Sequence, residues 1–184
     1  MSEASRPYVI GLGANLGERQ TTLRSAVQAL GKVGSLRAVS HLYETDPVGP
    51  PQPCFLNAAV LLDSVLTPHE LLSQLLSIEH AHGRERRERW GPRTLDLDLL
   101  LSPDLVLAAA NLTLPRPELT KRAFALVPLL DVFPTATDPR SLVAYRELLR
   151  SLSTEGLRLF ETSPSWCPLT VEPTSPSALG PSAD

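Results

Sequence analysis

The sequence has few of the features that define disulfide-stabilised or membrane-bound proteins. Its two cysteines, Cys54 and Cys167, lie outside any C-x-x-C or zinc-ligand pattern, so we expect neither a disulfide framework nor a metal knuckle. No run approaches the roughly 18 apolar residues of a membrane span. The first residues lack the basic region and long apolar run of a signal peptide. We therefore expect a cytoplasmic protein with no membrane partner.

The overall charge also lacks the strong positive excess typical of nucleic-acid-binding domains. The formal net charge is -3 at pH 7, which argues against a nucleic-acid partner. Lysine occurs only at Lys32 and Lys121, and arginine is concentrated in the stretch Arg84–Arg93. At 184 residues the chain can bury a core without cross-links. We expect a monomer with one domain over residues 1–160. Residues 161–184 are rich in proline and serine, which predicts a flexible tail.

The stretch from Arg84 to Asp98 reads RERRERWGPRTLDLD and combines arginines with two carboxylates. Each half has a plain interpretation, as a solvated charge run and as a half-exposed strand. Leucine and aspartate alternate over Leu95–Leu99, which places Asp96 and Asp98 on one face of a strand with their Cα atoms ~7 Å apart. Two like charges at this spacing repel unless a cation lies between them. The arginines suit a polyphosphate and the carboxylates suit Mg²⁺, which together favour a phosphoryl-transfer site.

The glycine-rich segment Gly11–Gly17 reads GLGANLG and follows a short apolar run. It lacks the lysine of a P-loop, and its third glycine comes one residue late for a dinucleotide-binding fingerprint. We interpret it as a strand-to-helix turn in which glycines permit positive φ. Asn15 is the polar side chain of this segment that could reach a site.

Two further features leave alternatives open. The segment Glu44–Cys54 contains four prolines, which fits either a surface connection or a binding loop with restricted conformations. Asn57 interrupts the apolar strand Phe55–Leu62. A buried asparagine must be hydrogen-bonded, either to backbone or to a ligand with an amide-like edge.

The remaining pattern alternates strands and helices, which suits an α+β layer fold. A helix is predicted over Glu18–Leu30, and Thr67 with Glu70 forms a capping box for a second helix. We predict one strand over Leu36–Tyr43 and a late helix over Ser141–Leu152.

The motif R-W-G-P-R-x-L-D-L-D-[LI] at Arg89–Leu99 makes the chain resemble the 6-hydroxymethyl-7,8-dihydropterin pyrophosphokinases of folate biosynthesis. The resemblance extends over about Tyr8 to Phe160. It implies a ferredoxin-like α/β sandwich, with a mostly antiparallel sheet and helices packed on its faces. The supporting motifs, in chain order, lie at Gly13–Gly17, Thr45 to Gly49, Phe55–Ala59, Ile78–Arg84, Leu112–Pro115 and Arg122–Phe124.

The resemblance implies that ATP donates a diphosphate to the 6-hydroxymethyl group of the dihydropterin, leaving AMP. ATP and the dihydropterin are thus the expected partners, and two Mg²⁺ ions arriving with ATP are the expected cofactors. The implied catalytic residues are Arg84, Arg93, Asp96 and Asp98, of which Asp96 and Asp98 are the implied metal ligands. The implied pterin-binding residues are Thr45, Pro47, Gly49, Phe55, Asn57 and Phe124. The implied ATP-binding residues are Glu79, Arg84, Arg89, Trp90, Arg93, Leu99, Thr113, Arg116 and Arg122.

Two positions depart from the family pattern, and the arginine-rich loop is one residue shorter than in some relatives. Leu76 lies where the family often has glutamine, and Leu114-Pro115-Arg116 replaces the usual L-P-H. An altered activity is therefore one alternative. A second is a non-catalytic phosphate- or RNA-binding module, although that gives no reason for Asp96 and Asp98.

Overall fold

A computed structural model describes residues 4–47, 49–83 and 92–168 of the chain. They form an α+β ferredoxin-like structure in which helices cover both faces of an antiparallel sheet. A short 3-10 helix at Leu119–Lys121 precedes the third α-helix. The elements in chain order are β1 (Arg6–Ala14), α1 (Arg19–Leu30), β2 (Ser35–Val39), β3 (Leu42–Thr45), β4 (Phe55–Ser64), α2 (Pro68–Ala81), β5 (Asp96–Leu101), β6 (Leu107–Ala108), β7 (Thr113–Leu114), α3 (Ala123–Val132), α4 (Tyr145–Arg150) and β8 (Leu157–Glu161).

The main sheet has the strand order β5-β1-β4-β3-β8, with β2 also paired to β4. Both β2 and β3 pair with β4, through Val39 opposite Val60 and Tyr43 opposite Asn57. Between them the Ser40 hydroxyl accepts a 2.8 Å hydrogen bond from the Ala59 amide. The single strand predicted over Leu36–Tyr43 is therefore wrong, because this side-chain bond replaces regular pairing where the two strands meet.

The two sheet faces carry separate apolar cores. On one face, the β5 residues Leu97 and Leu99 join the core that α1 and α2 cover. On the other, Val9, Leu100 and the α3 residue Leu126 belong to the core under α3 and α4. The alternation predicted for β5 is confirmed, since Asp96 and Asp98 face away from the first core.

Helix α2 begins where its local signals place it, whereas α4 begins later than predicted. The predicted capping box of α2 is confirmed, since Thr67 N–H donates to Glu70 Oε2 at 2.8 Å and Thr67 Oγ1 accepts from Glu70 N–H. Helix α4 begins at Tyr145, four residues later than predicted. A turn precedes it, in which Leu142 has φ +59° and its amide donates to the Asp138 carbonyl. No helix among the described residues is both long and apolar enough to cross a membrane.

The chain continues in packed structure beyond the predicted boundary at residue 160. Trp166 is fully buried in the core beneath α1, and Cys167 is buried beside it. Trp166 Nε1–H donates to the Ser40 carbonyl at 2.8 Å, and its own carbonyl accepts from Arg24 Nε–H at 2.7 Å. The structure therefore packs Trp166 and Cys167 against the domain, although the composition from residue 161 predicts a flexible tail. Residues 169–184 lie outside the described residues.

Candidate active site

A cavity of about 520 Å³ lies against the α3 face of the sheet. Strands β1, β3, β4 and β5 form its floor, while α3 and the segment around β7 contribute its walls. It brings together most of the residues that the sequence motifs single out. The predicted site residues that line it are Thr45, Phe55, Asn57, Arg93, Asp96, Asp98, Thr113, Arg116, Arg122 and Phe124.

The register of the sheet explains how two carboxylates and an amide meet on this floor. Gly13 of β1 pairs with Asp96 of β5 on one side and with Asn57 of β4 on the other. Gly11 likewise pairs with Asp98. The three polar side chains therefore share one sheet face, with glycines between them that leave the floor open.

This arrangement corrects the interpretation of Gly11–Gly17 as a turn. Gly11 and Gly13 lie within β1, and only Gly17 of this segment has a positive φ, at +62°. A Cβ atom on Gly13 would lie 3.2 Å from Asn57 Oδ1 and 3.9 Å from Asp96 Cβ. The role of Gly13 is therefore close approach between neighbours rather than conformational freedom.

Each carboxylate of the Asp96/Asp98 pair contacts a guanidinium. Arg93 Nη1 lies 2.7 Å from Asp96 Oδ1, and Arg116 Nη2 lies 2.9 Å from Asp98 Oδ1. Burial raises the pKa of Asp98 and the neighbouring Asp96 charge raises it further, while Arg116, Arg122 and Arg93 oppose these effects. A cation between the two carboxylates would offset the part of this effect that comes from their mutual repulsion.

The donor set suits a metal that arrives with its own ligands. Among the described residues, no three His, Cys, Asp or Glu side chains are grouped to hold a metal ion. A self-contained protein site is therefore absent from this part of the chain. Mg²⁺ is commonly bound by one or two carboxylates together with waters and substrate phosphates. Asp96 and Asp98 fit that pattern.

The same cavity also contains aromatic rings and one oriented amide. Asn57 is buried, and its Nδ2–H donates to Thr45 Oγ1 at 2.7 Å. The sequence predicts a backbone or ligand partner for Asn57, whereas the observed partner is a side chain. Phe55 and Phe124 line the same cavity, and the Arg122 guanidinium lies 5.8 Å from the centre of the Phe124 ring. Such a site suits a flat ligand with hydrogen-bonding edges.

Four predicted residues do not line the cavity. Leu99 is buried in the core on the opposite face, as the alternation of β5 requires. Glu79 is 2% exposed, and its Oε1 accepts a 2.7 Å hydrogen bond from the Leu97 amide, which places it behind β5. Pro47 and Gly49 are also absent from the lining. Arg84, Arg89 and Trp90 lie outside the described residues.

Asn15 positions the site without lining the cavity. Its side-chain Oδ1 accepts a hydrogen bond from the backbone N–H of Arg93 at 2.7 Å. Its backbone N–H donates to the Arg93 carbonyl at 3.1 Å. Its Nδ2 donates to Gln52 Oε1 at 3.0 Å and to the Pro53 carbonyl at 3.1 Å. One side chain thus ties the end of β1 to Arg93 and to the proline-rich loop.

The sequence interpretation missed several polar residues that line the cavity. They are Asp46, Asn111 and Glu118. No motif spacing distinguishes them from ordinary loop residues. Their closeness in sequence to Thr45, Thr113 and Arg116 is the one signal that could have identified them.

Comparison with known proteins decides the family. A family model described as 7,8-dihydro-6-hydroxymethylpterin-pyrophosphokinase matches residues 9–134. The chain belongs to this family. As a member of the pyrophosphokinase family it is a transferase of folate biosynthesis.

Curated relatives of the pyrophosphokinase family agree in name. A Synechocystis protein named 2-amino-4-hydroxy-6-hydroxymethyldihydropteridine pyrophosphokinase is 45% identical over 135 residues, covering 72% of this chain and 69% of the relative. A Methylorubrum extorquens protein of the same name is 41% identical over 160 residues, covering 85% and 99% of the two chains.

A solved structure of the Plasmodium falciparum HPPK-DHPS with STZ-DHP has the same fold. Its TM-score is 0.65 at 15% identity, covering 81% of this pyrophosphokinase chain and 43% of the solved chain. The present chain therefore spans less than half of that protein, and at this identity the likeness concerns the fold alone.

Proposed function

We propose that this pyrophosphokinase transfers a diphosphate from ATP to the hydroxyl of 6-hydroxymethyl-7,8-dihydropterin, using two Mg²⁺ ions. The observation that carries the proposal is a single cavity. It holds a carboxylate pair suited to Mg²⁺ together with an oriented amide and two aromatic rings. A nucleotide bound at the carboxylates and a pterin bound at the amide would meet within it.

The aromatic rings and the Asn57 amide would orient the pterin. A pterin ring between Phe55 and Phe124 would gain affinity from stacking on two faces. The Asn57 amide, oriented by Thr45, would hydrogen-bond the amide-like edge of the ring. Holding the hydroxymethyl group in one position removes much of the entropic cost of bringing two substrates together.

The charged residues of the cavity would bind the nucleotide and its metal ions. The pterin hydroxyl oxygen forms a bond to the β-phosphorus of ATP and releases its proton to solvent, the bond from that phosphorus to the α–β bridging oxygen breaks, and AMP leaves. When bound at Asp96 and Asp98, Mg²⁺ would neutralise phosphate oxygens. Arg93, Arg116 and Arg122 line the same cavity, where their guanidinium groups would stabilise the charge that develops during transfer.

Other predictions from the sequence are consistent with this reaction but lie beyond the described geometry. The contacts of Arg84, Arg89 and Trp90 with ATP remain predictions. The monomeric state and the cytoplasmic location also remain predictions.

Replacing Asp96 tests the proposal most directly. We expect Asp96→Ala to lower AMP formation by roughly a thousandfold, because it removes one of two carboxylates for the metal. The assay follows AMP release from ATP and requires both the dihydropterin and Mg²⁺. Circular dichroism checks that the variant is folded.

Glu147→Ala, which removes an exposed carboxylate on α4, is the control and should keep wild-type turnover. Retained turnover in Asp96→Ala would refute the metal assignment. A wild-type protein that binds RNA in a salt-dependent manner and forms no AMP would favour the nucleic-acid module instead.

A further inference from the structure

Arg116 departs from the family pattern, and the structure pairs it with a predicted metal ligand. Its Nη2 lies 2.9 Å from Asp98 Oδ1. The sequence interpretation considered only a contact with ATP. The carboxylate that would bind a metal ion therefore contacts a positive charge supplied by the chain itself.

The backbone of Arg116 is fixed beside β5 while its side chain reaches into the cavity. The Arg116 amide donates to the Leu100 carbonyl at 2.8 Å, and its carbonyl accepts from the Leu119 amide at 3.0 Å. The side chain is 44% exposed, against 28% for that of Asp98. The guanidinium can thus turn about its own side-chain bonds without any movement of the sheet.

Two kinds of ligand compete for these charged groups. A divalent cation and the guanidinium would both contact the Asp98 carboxylate, so each would weaken the interaction of the other with it. A guanidinium also binds phosphate oxygens through paired N–H donors. A triphosphate in the cavity therefore offers Arg116 a second partner at the moment that the cation takes the first.

We propose that Arg116 is an exchanging counterion, which pairs with Asp98 before the metal–nucleotide complex binds and transfers to the triphosphate when it does. This proposal rests on the function proposed above. It makes metal and nucleotide binding interdependent, because the nucleotide draws Arg116 away from the carboxylate that the metal needs.

Metal binding measured with and without nucleotide tests the exchange. The full chain and its variants are titrated with Mn²⁺ alone, and separately with the magnesium complex of α,β-methylene-ATP, by calorimetry. We expect Arg116→Ala to bind Mn²⁺ roughly two- to fivefold more tightly, as for loss of one partly exposed ion pair. The same variant should bind the nucleotide complex at least about fivefold more weakly.

Lys121→Ala is the matched control, because it removes an equal charge whose nearest acidic partner is Glu118 rather than Asp98. It should change neither affinity by more than about twofold. Arg116→Gln provides a second variant of similar length without charge, and it should reproduce both shifts.

Specific results would overturn the exchange. Unchanged or weaker Mn²⁺ binding in both Arg116 variants would show that Arg116 does not compete with the metal. Unchanged nucleotide affinity would show that it does not transfer to phosphate. If the affinities shift as expected while the wild type forms no AMP, the exchange stands and the proposed reaction fails. If AMP forms normally without those shifts, the exchange alone fails.

Discussion

The absence of a side chain at Gly13 shapes the active site as much as any functional group. Gly13 lies between Asp96 and Asn57 in one row across β5, β1 and β4. A methyl group there would lie 3.2 Å from the Asn57 oxygen, closer than comfortable van der Waals contact. Asn57 is buried and bonded to Thr45, so it has little freedom to retreat.

We predict that Gly13→Ala weakens use of the pterin more than it weakens the fold. The added methyl group should displace the Asn57 amide and raise KM for the dihydropterin roughly tenfold. Steady-state kinetics with varied dihydropterin measures this effect.

Gly17→Ala serves as the contrasting variant. It has φ +62° and nothing within 4 Å of an added Cβ, so it should cost about 1 kcal/mol of stability with KM unchanged. Equal KM values for wild type and Gly13→Ala would contradict the close-approach role.

At the level of elements, the placement of β5 depends on a helix behind it. The β5 strand is at one end of the main sheet and pairs with β1 on its inner side. The buried Glu79 carboxylate of α2 accepts from the Leu97 amide, between the two aspartates in sequence. Glu79, which the family resemblance predicts to contact ATP, also hydrogen-bonds the strand that carries the carboxylate pair.

We predict that Glu79→Ala destabilises the protein by about 1–3 kcal/mol, because it leaves the buried Leu97 N–H without this acceptor. Urea denaturation measures the change in the free energy of unfolding. Glu79→Gln should lose less, since its amide oxygen can still accept from Leu97. A Glu79→Ala variant of normal stability with a raised KM for ATP would restore the contact predicted from the sequence.

At the level of the whole molecule, the end of the described chain completes the core that α1 covers. Trp166, which follows β8 in the chain, is fully buried. It forms hydrogen bonds with Ser40 and Arg24, which are far away in sequence. Strand β8 also pairs with β3 through Thr45 opposite Leu157, next to the cavity. The domain therefore includes residues that composition assigned to a tail.

We predict that Trp166→Ala costs about 3–5 kcal/mol of stability, the usual range for a buried aromatic residue reduced to alanine. Thermal and chemical denaturation, compared with wild type, measure the loss. The exposed Leu159→Ala on β8 is the control and should change stability by less than about 0.5 kcal/mol. A Trp166→Ala variant as stable as the control would mean that the segment contributes no core packing.

The sequence by itself determined the features that depend on local chemistry. The capping box at Thr67 and the alternation of Asp96 and Asp98 with leucines follow from backbone geometry over a few residues. The motif at Arg89–Leu99 was specific enough to identify the family before any fold was known. These signals are contained within short segments, so no distant partner is needed to interpret them.

Only the tertiary structure decided which distant residues meet. Four features depend on strand register or on packing between separate elements. They are the position of Gly13 between Asp96 and Asn57, the bond of Glu79 to β5, the burial of Trp166 and the ion pair of Arg116 with Asp98. A one-residue shift in register would turn each strand's side chains to the opposite face, and local sequence does not specify the partner strand's position. The physical reason is that these contacts are non-local, and their geometry exists only after the sheet has formed.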